Sequence, residues 1–309
     1  MTDFISVIIP TFNPDPSRLS QTISGLRHQT LPYKQWELII VDNNSTFPVN
    51  PELSWHPNNK TVRAKKQGLT HARLKGFEQA SGEIIVMVDD DNILDKDYLK
   101  NTLSLFKSNS SLGAIGGKSI PAFEVEPPEW LKEFYGSLAI RDMGEAELVT
   151  AWKNEYPGFA PIGAGMAIRR SVIASYINKI KTGNAIILDR KGTSLYSGGD
   201  NDIVLEILQS GWQVGYFPSL VLKHIIPEAR MQVKYLARLL NNTNRSWVQV
   251  LKKHHINPWN EIPAWSIPFR KTKAWFTYSA WQNKVNYIKW KGACGLFDGL
   301  AAIKRNAKT

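Results

Sequence analysis

The chain has 309 residues, 43% of them hydrophobic, and a formal net charge of +11, so it can bury a sizeable core and falls outside the disordered class. Its one cysteine, Cys294, excludes an internal disulfide and any cysteine-built zinc cluster, and fits a reducing compartment. The longest apolar runs, such as 84–88, fall far short of the ~20 residues that span a bilayer, and the first residues have no basic region, so the expectation is a cytoplasmic chain.

Residues 5–9 are apolar and largely β-branched and stop at Pro10, the pattern of a buried parallel strand feeding a loop at 10–14. Leu19, Ile23 and Leu26 recur at helical spacing across 17–28, and 36–41 form a second strand. Residues 64–80 predict a helix, Gly82 punctuates it, and 83–88 predict a third strand ending in Asp89, Asp90 and Asp91. This alternation predicts an open α/β sheet, mainly parallel, with ligands outside the carboxyl ends of its strands. Residues 121–161 mix Pro, Trp, Glu and Gly without a period and predict irregular segments over a site. A helix-like stretch at 166–177, a helix at 203–208 and a strand at 215–222 follow. Residues 231–251 predict a further helix, and after it comes a Trp-rich basic tail with Pro258, Pro263 and Pro268.

Asp89, Asp90 and Asp91 stand side by side at a strand end, where adjacent carboxylates repel unless something cationic is bound. A hard divalent ion, Mn²⁺ or Mg²⁺, suits oxygen ligands and bridges diphosphates. The same acids also suit a solvated loop capping a helix near Asp95. A second acid, Asp42, ends the second strand, where it can accept the imide proton of a uracil; Asp42-Asn43-Asn44-Ser45 is equally ordinary turn chemistry. In Gly163-Ala164-Gly165 the small residues let the backbone approach a bulky ligand or make a tight turn.

In this order and combination the motifs resemble the family 2 glycosyltransferases of the GT-A fold, over roughly residues 4–230. The residues concerned are Val7 to Asn13, Asp42 to Ser45, Ala72-Arg73 before Gly76, Ser81-Gly82-Glu83, Asp89 to Asp91, Gly163 to Gly165, Gly199 to Asp202, and His224 before Pro227. The resemblance implies a Rossmann-like catalytic domain at 1–230, with a nucleotide-binding half (1–120) and an acceptor half (121–230), followed by a helical extension at 231–309. It implies an inverting transfer of a hexose-type sugar from a nucleotide diphosphate sugar, with UDP favoured, to a glycan or lipid-linked acceptor. Pro10, Thr11 and Asn13 would line the nucleotide pocket, Asp42 would bind the base, and Arg73, Asp89 and Asp90 would contact the donor. Asp91, with Asp89 and His224, would hold the metal, and Gly163, Ala164 and Gly165 would lie beside a sugar.

An inverting transfer needs one carboxylate to take the acceptor hydroxyl proton. Asp200, preceded by two glycines, is the candidate, with Asp202 as cap, orienting residue or sugar contact. Two departures from the family pattern stand out: Leu74 replaces the Asn that follows the arginine, and Gly199 replaces a Glu.

Three other readings compete. Aromatics interleaved with cations suit single-stranded nucleic acid, but no nucleic-acid motif accompanies them. A nucleotidyl or phosphosugar transferase would carry a glycine-rich, lysine-containing loop after residue 9, and none is present. A catalytically silent homologue conflicts with the retention of Asp91, Asp200 and His224. The tail itself suits either an anionic membrane surface, which combines Trp and Tyr with cations, or packing of its aromatics inside the protein.

Overall fold

The computed structural model describes residues 4–181 and 198–302. These divide between two compact units, the first within 1–122, 139–187 and 203–225, the second within 123–138, 188–202 and 226–309.

The first unit is built on strands β1 (Ile5–Thr11), β2 (Trp36–Asp42), β3 (Asn59–Arg63) and β4 (Ile84–Met87), paired in parallel in the order β3-β2-β1-β4. Every residue of β1, β2 and β4 is buried, which explains their continuous apolar runs. Strand alternation sorts the side chains between two cores: Val7, Ile9, Leu38 and Ile40 face one, while Ile8, Ile39 and Val41 face the other. Helix α1 (Pro16–Arg27) covers the first core through Leu19, Ile23 and Leu26, and α2 (Leu69–Gln79) covers the second through Ala72 and Phe77. Gly76 allows the close approach of α2, since a Cβ there would sit 2.4 Å from Ile8 Cγ2.

The remaining strands widen the sheet to nine among the described residues. Strand β8 (Ala167–Arg169) runs antiparallel to β4, and β6 (Leu112–Phe123) antiparallel to β8. Strand β9 (Gln213–Ile226) lies next to β6 and pairs antiparallel with both β5 (Asn92–Leu94) and β7 (Leu148–Thr150). Helices α3 (Tyr98–Ser108), α4 (Arg170–Lys181) and α5 (Gly199–Gln209) complete the sequence of elements. Several expectations shift here. The helix expected over 64–80 begins only at Leu69, because Gly68 takes φ +134°. The stretch 166–177 opens as β8 before turning into α4, and the helix expected near Asp95 waits until Tyr98 because β5 intervenes. Strands β3, β5, β6, β7 and β8 were not anticipated.

In the second unit α6 (Val233–Lys253) packs along α8 (Lys284–Ala302), with α7 (Ile267–Thr277) against α8. Glycine sets the α6–α8 separation: a Cβ on Gly295 would fall 2.0 Å from the Asn241 carbonyl oxygen, and one on Gly299 2.9 Å from that of Arg245. Residues 123–138 contribute two short 3-10 turns, Glu129–Phe134 and Gly136–Leu138. Among the described residues no helix is long and apolar enough to cross a membrane.

Candidate active site

Parallel pairing brings the carboxyl ends of β1, β2 and β4 to one edge of the first unit, and the polar residues singled out in the sequence follow those ends. Pro10 and Thr11 close β1, both buried, and the Thr11 hydroxyl donates to Asp90 Oδ2, tying the loop after β1 to the acids after β4. Asn13 sits at φ +47°, a left-handed turn that Asn tolerates. Its N–H donates to Ser45 Oγ at 2.9 Å, and its Oδ1 accepts the Thr46 N–H at 2.8 Å. These loops also border a cleft of ≈ 730 Å³, whose walls include Asn13, Leu19, Thr46, Phe47 and Val49.

Asp42 is buried and accepts the Ser45 N–H at 2.8 Å, so the turn chemistry of Asp42 to Ser45 is realised. Its other oxygen lies 3.8 Å from Arg63 Nε, and Arg63 Nη2 donates to Asn44 Oδ1 at 2.9 Å. Arg73 is only 5% exposed, on α2.

Of the three acids after β4, Asp91 is the buried one, and its side chain turns back toward β9, with Oδ1 3.5 Å from His224 Nε2 and 3.1 Å from Asn92 Nδ2. The cause is the β5–β9 ladder, which pairs Asn92 with His224 and gives the Asp91 carbonyl oxygen the Ile225 N–H at 2.9 Å. The Asp89 N–H donates to Asn92 Oδ1 at 3.3 Å, folding the acidic turn onto itself. Gly163, Ala164 and Gly165 are buried ahead of β8. Gly165 has φ +76°, and a Cβ there would lie 2.6 Å from Tyr98 Oη; that hydroxyl donates to the Gly165 carbonyl at 2.7 Å. Burial pushes the Tyr98 phenol above its ordinary pKa, so it remains a donor.

The second unit holds Asp200 and Asp202 in the first turn of α5. Asp202 is buried, and Lys253 Nζ reaches both its oxygens, at 2.6 and 2.8 Å. His254 Nε2 stands 2.7 Å from Asp202 Oδ1. The carboxylate is therefore a fixed anchor for the carboxyl end of α6.

The sequence model of the family described as "Glycosyl transferase family 2" matches residues 6–175, more than half of the chain. The chain belongs to glycosyl transferase family 2. It is a transferase, and two of its relatives bear glycosyltransferase names. A glucosyl-dolichyl phosphate glucuronosyltransferase of Haloferax volcanii is 24% identical over 75% of this chain and 72% of its own length. A dolichol-phosphate mannosyltransferase of Pyrococcus furiosus is 30% identical over 40% of this chain and 35% of its own. Among solved structures, S. aureus TarS 1-349 in complex with UDP-GlcNAc has a TM-score of 0.52 at 13% identity, covering 98% of this chain and 92% of that one; this likeness concerns the fold, the GT-A architecture. The chain spans about half the length of the N-acetylglucosaminyltransferases it matches, 56% and 50% for those of Mesorhizobium japonicum and Bradyrhizobium diazoefficiens.

Three residues of this glycosyltransferase escaped the sequence reading. Arg63 lies on β3, whose polar alternation hid it, and Lys253 and His254 look like the ordinary basic end of a helix. Only the placement of α6 beside the start of α5 within the second unit gives Lys253 and His254 their partner.

Proposed function

We propose that the chain is an inverting glycosyltransferase that moves a hexose-type sugar from a nucleotide diphosphate sugar, in first place a UDP-sugar, to a glycan or lipid-linked acceptor. The carrying observation is the clustering of Thr11, Asn13, Asp42 and the Asp89 to Asp91 turn after the ends of β1, β2 and β4, backed by the Asp91–His224 approach. In this reading Asp42 accepts the imide proton of uracil, Pro10, Thr11 and Asn13 line the nucleotide, and Arg73, Asp89 and Asp90 meet the donor. Asp91 and Asp89, with the imidazole of His224, would hold a Mn²⁺ or Mg²⁺ ion, to which hard carboxylate oxygens are suited. When bound, such an ion neutralises charge developing on the departing diphosphate.

Asp200 accepts the acceptor hydroxyl proton as the hydroxyl oxygen bonds to the anomeric carbon from the face opposite the diphosphate, whose C–O bond breaks. Asp202, locked by Lys253 and His254, orients this first turn, and Gly163, Ala164 and Gly165 give the sugar a flat backbone surface. The TarS complex with UDP-GlcNAc and the lipid-phosphate acceptors in the names of the two archaeal relatives support the donor and acceptor classes. The protein works in the cytoplasm, peripheral to the inner face of the cell membrane.

The test is a nucleotide-sugar panel with Mn²⁺ or Mg²⁺, reading donor hydrolysis, transfer and thermal shift. Asp200→Asn is expected to abolish transfer with donor binding intact, and Asp91→Asn to weaken metal-dependent donor binding itself. Normal transfer by the Asp200 variant removes it as base, and a panel in which no nucleotide stabilises the protein overturns the reading as a whole. A nucleotidyl transfer, which would use the same strand-end acids, is distinguished by release of pyrophosphate instead of a nucleoside diphosphate.

A further inference from the structure

The second unit carries an unusual outer face. Trp265 is 74% exposed, Phe269 70%, Phe276 63% and Trp281 55%. Phe269 and Phe276 are seven residues apart on α7 and share one side of it, with Trp265 one turn ahead, while Ala274 on the opposite side is buried. Trp281 extends the stripe past the end of the helix, its ring 5.7 Å from that of Phe276 and edge-on to it. The four rings are thus exposed together along one side of α7 and just beyond its ends.

Charge defines what such a face meets. Between Glu261 and Asp298 the sequence carries six lysines and arginines and no acid. Lys271 is spent on Asp298, Lys289 on Glu133, and Lys291 lies over the rings of Tyr287 and Trp290. Arg270, Lys273 and Lys284 are exposed and have no acidic partner among the described residues. Protruding aromatic rings flanked by uncompensated cations match the boundary region of an anionic bilayer, where rings sit at headgroup depth and cations meet lipid phosphates.

From this match we infer that the α7 face is a membrane-docking element that lies in the plane of an anionic leaflet, with Trp265, Phe269, Phe276 and Trp281 inserted and Lys273 and Lys284 on headgroup phosphates. This holds for the surface whatever sugar the enzyme transfers.

Co-sedimentation of the full chain with phosphatidylcholine vesicles, with and without phosphatidylglycerol, tests it. Binding is expected only with the anionic lipid and falls with added salt. Replacing the four aromatic residues by serine is expected to weaken binding at least ~10-fold. Lys273→Glu with Lys284→Glu is expected to cost roughly five-fold or more per site. All six positions are exposed, so unchanged thermal melting reports that each variant is folded, and UDP-induced thermal shift on the same samples follows the donor site separately. The inference is overturned if the unaltered chain ignores anionic vesicles, or if both variants bind as it does. It is equally overturned if the face proves to pair two copies of the chain, seen as a mass that halves in the serine variant, or to bind a single-stranded oligonucleotide in preference to vesicles.

Discussion

Asp202 and His56 are buried titratable residues that behave in opposite ways. Asp202 is 5% exposed and compensated on the spot by Lys253 and His254. Removing one member of such a group leaves a buried charge unpaired, at a cost of about 3–5 kcal/mol. Asp202→Ala is therefore expected to lower stability by about that amount in urea unfolding. Glu129→Gln, which breaks the exposed pair with Lys132, is expected to shift it by less than about 0.5 kcal/mol. His56 is fully buried among Tyr33, Trp36 and Trp55, with ring centroids 5.0, 4.0 and 5.3 Å away, and its Nδ1 accepts the Asn58 N–H at 3.1 Å. Burial depresses its pKa to about 4. The fold thus prefers the neutral ring: the contribution is complete above the unfolded value near 6.5 and is lost as pH falls toward about 4. Between pH 7 and pH 4.5 this amounts to about 2–3 kcal/mol, and His56→Leu is expected to flatten the denaturation profile by that much. A variant that keeps the wild-type slope would show that another group sets it.

Between helices α6 and α8 the contact depends on missing side chains. Gly295→Ala forces a methyl group to within 2.0 Å of the Asn241 carbonyl oxygen, a backbone atom that cannot step aside, whereas Gly136→Ala meets nothing within 4 Å. The first change is expected to cost about 1–3 kcal/mol and to speed amide exchange in both helices; the second is expected to be near neutral. Elements of this kind also show where the sequence was readable. Strands β1, β2 and β4 announced themselves because they are buried on both faces and so are mostly apolar, with Ser6 and Glu37 paired to each other inside β1 and β2. Strand β3, with its exposed and half-buried residues, carries no such run, and β5 and β8, three residues each, are too short to show a period. Strand β6 was masked by Gly113, Gly116, Gly117 and Pro121. A Cβ on Gly117 would lie 2.0 Å from the Leu220 carbonyl oxygen, a demand set by a neighbour that no local pattern reveals. The candidate acids were legible for the same reason as their strands, since Asp42 and Asp89 to Asp91 directly follow apolar runs. Arg63, Lys253 and His254 were not, because their partners are distant in sequence.

For the whole molecule, donor binding and stability are linked by mass action. A nucleoside diphosphate at about 100 times its dissociation constant adds about 2.7 kcal/mol, which in a chain of this size raises the melting temperature by roughly 4 °C. If Asp91, Asp89 and His224 hold a divalent ion between protein and diphosphate, EDTA is expected to erase most of that rise with UDP; a shift of equal size in chelator would separate nucleotide binding from metal. The β5–β9 ladder adds a consequence for the order of events during synthesis. Asp91 leaves the ribosome early, yet its imidazole neighbour at position 224 arrives only after more than a hundred further residues, carried by the strand whose Ile225 N–H it needs. An emerging chain can thus shape the turns after β1 and β2 long before it can complete the Asp91–His224 corner, and a truncated product ending short of β9 lacks that corner.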